Sequence, residues 1–451
     1  MRTSTAALLT LASHAVTLVD AASILFTDAT IITFNTTTSC NEVLHSSSLL
    51  IEGSRITQIF NGTTPTSFPA DTEIVSSTGK IISPGFINTH HHLWQTAFKT
   101  IASNTTLAEY FQRYSAFGPA IQHFTPEDKY LGQLVGSLEL LNSGTTTVVD
   151  HAHGGSSDAT VDAILNATLD SHLRTYHAFA IQNLPNNYTT ASQIEKLTSL
   201  ANDARLTSNP LVELGLAYDA FDSTPTPFLA NLWNLVSALN LSLVTTHTLG
   251  GPWITSNSPS TLNTLGWMNT SVPVIFSHAS FLTAPDIDIL RRTNQYISST
   301  PESEMHYGHT HPVAHVNEVL EQVSLGVDTH FTFSGDVVGQ ARLWLQTLRL
   351  QRYADVVVEE GKIPLNNPMS VEQAFYLSTR AGAMALRRPD LGAIAVNHTA
   401  DLVVFDGESV NMLGWSDAVA AVVLHANTGD VQGVIVGGGW VKREGTLVYG
   451  G

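Results

Sequence analysis

The stretch "PGFINTHHHLWQT", Pro84 to Thr96, decides how this chain is read. A short apolar run, "GFINT", ends in three consecutive histidines, His90, His91 and His92. Successive side chains of a strand alternate between its two faces. His90 and His92 therefore share one side, and His91 points to the other, toward whatever surrounds the strand. Two imidazoles on one face of a strand end form half of a metal site, provided the chain supplies further ligands.

It does so at regular places. Seven more apolar runs follow, "TTTVVD", "LRTYHAFA", "VELGLAYD", "LSLVTT", "VPVIFS", "QYISST" and "SLGVD". Segments with helical spacing lie between them: Glu127 to Asn142, Asp158 to Ser171, Ile194 to Thr207, Phe228 to Leu239, Pro285 to Thr293 and Val313 to Val323. Eight strands alternating with helices predict an α/β fold, a (β/α)8 TIM barrel. Chemistry in such a barrel gathers at the C-terminal strand ends. Strand two ends in Asp150, His151 and His153, strand five in His247 and strand six in His278. Strand seven ends at Glu302 and Glu304, and strand eight at Asp328. His90, His92, His247 and Asp328 are the expected ligands of one divalent ion, with Zn²⁺ favoured and Fe²⁺ or Mn²⁺ compatible.

Composition narrows the partners. With 451 residues, 43% apolar and 13% charged, the chain can bury a large core and a smaller second domain. A formal net charge of −18 leaves no basic face for a nucleic acid or an anionic membrane. The expected partner is a small-molecule substrate, and a homo-oligomer is left open. Cys40 is the single cysteine, so no internal disulfide forms. Residues 1–21 read as a secretory signal peptide: Arg2, then a small and apolar run, then Val19-Asp20-Ala21 at a cleavage site. Glycosylation sequons stand at Asn35, Asn61, Asn104, Asn166, Asn187, Asn240, Asn269 and Asn397. A secreted, extracellular glycoprotein is expected. Short β-rich runs at both ends predict a small β-domain assembled from residues 22–84 and 389–451, flanking a barrel at 85–388.

Together with "PGFINTHHH", the segments "SGTTTVVDH", "FSHASFL", "SLGVD", "STRAGAMAL", "LGAIAVNHTADLVVFD" and "GVIVGGGWVKREG" resemble the amidohydrolase superfamily. The likeness is to cytosine deaminase-like metal-dependent hydrolases, which include atrazine-type chlorohydrolases and purine or pterin deaminases. "HHHLWQT" is similar to the subgroup acting on hydroxylated triazines and 8-oxoguanine. The resemblance runs from about Ser23 to the C-terminus and implies a distorted barrel with a β-sandwich built from both termini. It implies that His90, His92, His247 and Asp328 hold one metal, and that His278 contacts the attacking water or the tetrahedral intermediate. Two-metal relatives carry a modified lysine at the end of strand four; "LGLAYDAF" has none, so one metal is expected.

The chain also departs from that pattern. Family deaminases carry a glutamate three residues after the strand-five histidine, where it moves protons and holds the ring nitrogen; Gly250 stands here. Glu304 or Glu302 is the candidate to supply that acid–base function from strand seven, the alternatives being a substrate cation or a helix cap. The catalytic candidates are thus Asp328, His278, Glu304 and Glu302. Trp94, Gln95, His151 and His153 are the substrate-binding candidates, with core packing as the alternative for Trp94 and a capped strand end for the two histidines. The expected activity is metal-dependent hydrolysis of a non-peptide C–N bond in a small cyclic or heteroaromatic molecule, in the manner of an atypical deaminase. The alternatives are a hydrolase or lyase with a non-nitrogen leaving group, and a metal-binding homologue without turnover.

Overall fold

The computed structural model describes residues 23–309 and 313–448. The expected leader, 1–21, lies outside the described residues. The described chain opens with strands β1 (Ser23–Asn35), β2 (Cys40–Glu52), β3 (Arg55–Phe60), β4 (Thr72–Ser76) and β5 (Lys80–Pro84). Eight strands of a second sheet follow: β6 (Phe86–His91), β7 (Thr145–Ala152), β8 (Arg174–Ala180), β9 (Val212–Ala217), β10 (Val244–Leu249), β11 (Val274–Ser280), β12 (Tyr296–Ser299) and β13 (Val323–Leu325). Every pair in that sheet is parallel, in the order β6 to β13. A bridge between His91 and Asp328 closes β13 onto β6, completing the barrel.

Sequence explains both strands and helix starts. Every residue of "TTTVVDHA" in β7 and "RTYHAFA" in β8 is buried, as strands covered on both faces require. The helix Pro126–Asn142 begins where Thr125 caps the Asp128 N–H, Asp128 answers the Thr125 N–H and proline fills the first turn. Ser157, Thr283 and Ser370 start three more helices with the same reciprocal bonds. One expected helix does not form. Val313–His315 and Asn317–Gln322 are 3-10 turns, interrupted by Val316 in extended backbone (φ −84°, ψ 123°). Segments this short do not propagate an α-helix on their own. The helix after β12 is instead Pro301–His306, started by its proline. Among the described residues no helix is long and apolar enough to cross a membrane.

After the barrel come β14 (Leu402–Asp406), β15 (Val431–Val436), β16 (Gly439–Arg443) and β17 (Thr446–Leu447). They join β1–β5 in one nine-stranded sheet through the antiparallel pair β14–β5. Ile24, Phe26, Leu49, Ile51, Leu402 and Ile435 pack together as its own core. A buried ion pair ties this sheet to the barrel floor. Arg174, the first residue of β8, donates from Nε (2.9 Å) and Nη2 (3.0 Å) to the two carboxylate oxygens of Asp401. The same carboxylate accepts the Gly437 N–H at 2.6 Å, and the Asp401 carbonyl accepts the Gly85 N–H. Removing one partner of a buried pair leaves an uncompensated charge. Arg174→Ala is expected to lower stability by about 3–5 kcal/mol in denaturant unfolding, with the loss largely recovered when Asp401→Asn is added.

Candidate metal centre and catalytic cavity

Four ligand atoms converge at the barrel mouth. His92 Nε2 and His247 Nε2 stand 3.1 Å apart, and Asp328 Oδ1 lies 3.5 Å from His90 Nε2 and 3.4 Å from His92 Nε2. Zinc bonds of about 2.0–2.1 Å place tetrahedral ligand atoms about 3.3–3.4 Å apart, so these separations fit a single ion. His90 Nε2 is fully buried and has no hydrogen-bond partner. Such an orphan is rare unless it serves a ligand.

The other nitrogen of each ring is held. His90 Nδ1 meets the Ser277 hydroxyl at 2.8 Å, His92 Nδ1–H donates to the His151 carbonyl at 2.9 Å, and His247 Nδ1–H donates to Asp219 Oδ2 at 2.9 Å. Bonds of this kind fix ring orientation and leave Nε2 for the metal. Burial, reinforced by neighbouring imidazoles, holds His90 and His92 well below the usual histidine pKa, so both rings are neutral, as metal binding would require. Asp328 Oδ2 accepts from the Ser303 hydroxyl at 2.6 Å. Asp328 (φ 77°), His278 (φ 67°) and Ala279 (φ 55°) adopt left-handed backbone, at roughly 1–3 kcal/mol each for residues with side chains. His91 faces away, its ring 3.2 Å from the Asn88 amide and 3.3 Å from His330.

His278 lines the cavity beside the ligands, with Nδ1 2.9 Å from the Thr300 hydroxyl. Glu304 stands behind it. Its carboxylate accepts the Thr300 N–H (2.7 Å) and the Ser299 hydroxyl (3.0 Å), with Oε1 3.9 Å from His278 Nδ1. Burial pushes the Glu304 pKa up to about 7. The carboxylate thus folds back to cap its own helix behind His278. Glu302 is not brought into the cavity; its Oε2 accepts from the Gln340 amide at 3.1 Å.

Asp219, one residue beyond the strand-four tyrosine in "LGLAYDAF", is the site residue that sequence reasoning missed. It accepts the His247 N–H through Oδ1 (2.7 Å) and both His247 Nδ1–H (2.9 Å) and His151 Nε2 (3.1 Å) through Oδ2. Burial opposes its charge, but His247 and His151 outweigh that and hold its pKa well below the usual carboxylate value. An acid at a barrel strand end was the available signal.

The ligands form the floor of a cavity of about 730 Å³. Leu107, Tyr110, Phe117, Ile181, Phe228 and Tyr307 give it apolar walls, and Gln95, Gln182 and Asn183 add neutral polar groups. Asp219 and Asp328 are its carboxylates, and no lysine or arginine lines it among the described residues. Of the substrate-binding candidates, Gln95 and His153 line the cavity. Trp94 does not: it is fully buried, with Lys129 Nζ 3.2 Å from its ring centroid. His151 also sits behind the wall, paired to Asp219. At Gly250 a Cβ would stand 3.1 Å from the Ser280 carbonyl and 3.2 Å from Phe281 Cβ, so the backbone there is packed closed.

The amidohydrolase family model matches residues 81–441, and the chain belongs to that family. It is 25% identical over 403 residues to a 5-methylthioadenosine/S-adenosylhomocysteine deaminase of Thermococcus kodakarensis, covering 86% of this chain and 88% of that one. It is 24% identical over 395 residues to a 5′-deoxyadenosine deaminase of Methanobrevibacter smithii, covering 85% of each. Its fold matches that of an atrazine chlorohydrolase from Arthrobacter aurescens complexed with zinc, with a TM-score of 0.79 and 19% identity over 95% of this chain and 97% of that one.

The donor set predicts about one equivalent of divalent metal per chain by elemental analysis. His90→Ala and Asp328→Ala are each expected to lose that equivalent. Asp219→Asn is expected to weaken metal binding by about 10- to 100-fold, the effect of disturbing a ligand's supporting hydrogen bond.

Proposed function

We propose that this protein is a hydrolase that uses one divalent metal, zinc first among the candidates, to cleave a C–N bond of a small neutral heteroaromatic molecule, most simply by deamination. The convergence of His90, His92, His247 and Asp328 on the floor of an apolar cavity carries this reading. The deaminases to which the chain is similar support it. His90, His92, His247 and Asp328 would hold a divalent ion that, when bound, would supply Lewis acidity and lower the pKa of a water toward neutrality.

The chain's own groups do the rest. Ser303 holds one oxygen of Asp328, which keeps the other directed at the ligand cluster. Asp328 is the base within reach of the attacking water. His278, fixed by Thr300, presents its remaining ring nitrogen to the charge that develops during attack. The aromatic and aliphatic walls exclude water and suit a flat ring. A second reading, displacement of a leaving group other than nitrogen, is favoured by one observation: the glutamate that serves nitrogen departure is replaced by Gly250, whose surroundings are closed.

Among the described residues no lysine or arginine lines the cavity, so a substrate phosphate would find no cationic side chain there. Ammonia release is therefore expected from uncharged aminopurines, their nucleosides or aminotriazines, with 5′-phosphorylated counterparts about 10- to 100-fold poorer in kcat/KM, since a phosphate without a partner in an apolar cavity loses its hydration uncompensated. Comparable turnover of nucleoside and nucleotide overturns the neutral-substrate assignment. Release of chloride or methanol without ammonia from substituted triazines selects the second reading.

Secretion and glycosylation belong to the same proposal. Asn61, Asn104, Asn187, Asn240, Asn269 and Asn397 are exposed, whereas the Asn35 and Asn166 side chains are engaged by Glu42 and Arg205. Secreted material is expected to begin at Ala22 by N-terminal sequencing and to gain mobility on enzymatic removal of N-glycans. An intact Met1 and no mobility change would overturn this assignment.

A further inference from the structure

His153 follows β7 and lines the cavity, and its ring centroid lies 4.1 Å from that of the ligand His92. Its Nδ1 accepts a hydrogen bond from Trp94 Nε1–H at 3.1 Å. An indole N–H can only donate. The Nδ1 of His153 must therefore carry a lone pair, and the ring proton must reside on Nε2. Among the described residues Nε2 has no hydrogen-bond partner, and it belongs to a side chain at the cavity wall.

Trp94 has no freedom to release this lock. It is fully buried, with Lys129 Nζ over one face of its ring at 3.2 Å and Phe98 and Phe124 edge-on at 5.6 and 5.9 Å between centroids. Lys129 Nζ itself is buried without a hydrogen-bond partner, so its main polar contact is the indole face. A rigid indole thus imposes one tautomer on a histidine beside the metal ligands.

We propose that His153 is a fixed, neutral hydrogen-bond donor that reads a pyridine-type ring nitrogen of the substrate through Nε2–H. The proposal rests on the proposed function and sharpens its substrate class to rings with an unprotonated nitrogen near the carbon under attack. It also accounts for half of what Gly250 forfeits, because the glutamate expected there would hold the ring nitrogen. A donor to that nitrogen draws electron density from the adjacent carbon and favours attack by water. The Gln95 Nε2–H is spent on Tyr110, His278 is assigned to the charge developing at the metal side, and His153 stands 4.1 Å from His92 between ring centroids with its Nε2–H uncommitted.

The test is binding to metal-loaded protein, read by calorimetry, of adenosine and of its 1-deaza, 3-deaza and 7-deaza analogues, each lacking one ring nitrogen. His153→Phe is expected to weaken adenosine by about 10- to 100-fold, the effect of one lost buried hydrogen bond. It should leave one deaza analogue, the one without the nitrogen that is read, within about twofold of its wild-type affinity. His153→Gln, which retains an N–H donor, should recover part of the loss, and Trp94→Phe should narrow the difference between adenosine and that analogue. Equal weakening of adenosine and every analogue, or none at all, overturns the assignment. Wild-type protein that neither binds nor converts any amino heterocycle overturns the proposed function and this inference with it. Conversion by wild type with no analogue-dependent effect of His153→Phe overturns this inference alone.

Discussion

The functional centre depends on the closure of the barrel between β6 and β13. The His90 carbonyl accepts from both Val327 N–H (3.2 Å) and Asp328 N–H (3.0 Å), while Gly326 N–H donates to the Ser299 carbonyl at 2.8 Å. These bonds bring the last strand end against the first and set Asp328 beside His90 and His92. Gly326 makes the approach possible, since a Cβ there would stand 2.9 Å from the His90 carbonyl oxygen and 2.8 Å from Ser298 Oγ. The left-handed backbone of Asp328 is then held by bonds on both sides: its own carbonyl accepts the His92 N–H at 2.7 Å. Strain of this kind persists where surrounding structure over-determines a residue.

Around the ligand atoms lies a complete set of supporting hydrogen bonds drawn from the neighbouring strands and helices. Ser277 comes from β11, the His151 carbonyl from β7, Asp219 from the end of β9 and Ser303 from the helix after β12. Because each partner arrives from a different unit, the geometry of the centre averages over the whole barrel and does not hang on one loop. Buried imidazoles kept neutral avoid mutual repulsion, and Asp219 beneath His247 accepts its Nδ1–H and leaves its Nε2 directed at the other ligand atoms. The cavity above can then be apolar without leaving an unpaired charge in its floor.

Strand ends were legible because their register is local. Period-two alternation separated His90 and His92 from His91, and regular βα units put His247, His278 and Asp328 at equivalent heights. What escaped depends on non-local pairing. Asp219 gains its role only because β9 lies beside β10, which places a carboxylate under His247. His151 and His153 have the same parity, yet they part company because His153 stands just past the end of β7 at Ala152. Trp94 falls in the 3-10 turn Leu93–Phe98, which turns the indole into the core. Glu302 and Glu304 sit in the first turn of a short helix, where an acid is as useful for capping as for catalysis. Sequence spacing carries no mark of which use wins.

Gly250 changes how charge is distributed about the cavity. Two carboxylates line it and a third, Glu304, stands behind His278, and each is already committed. Asp328 belongs to the ligand set, both oxygens of Asp219 are occupied by His247 and His151, and Glu304 caps its helix behind His278. The groups left to meet a ring directly are neutral: the locked His153, the Gln182 and Asn183 amides, and aromatic faces. A site of that kind selects by whether ring acceptors find donors, because a polar donor left unpaired in an apolar cavity is penalised more than a missing apolar contact. On the proposed mechanism proton movement would run through Asp328 and His278, and ring recognition through His153, which stands beside His92. A glycine at position 250 would thus divide between those groups the two tasks that the family resemblance assigns to one glutamate.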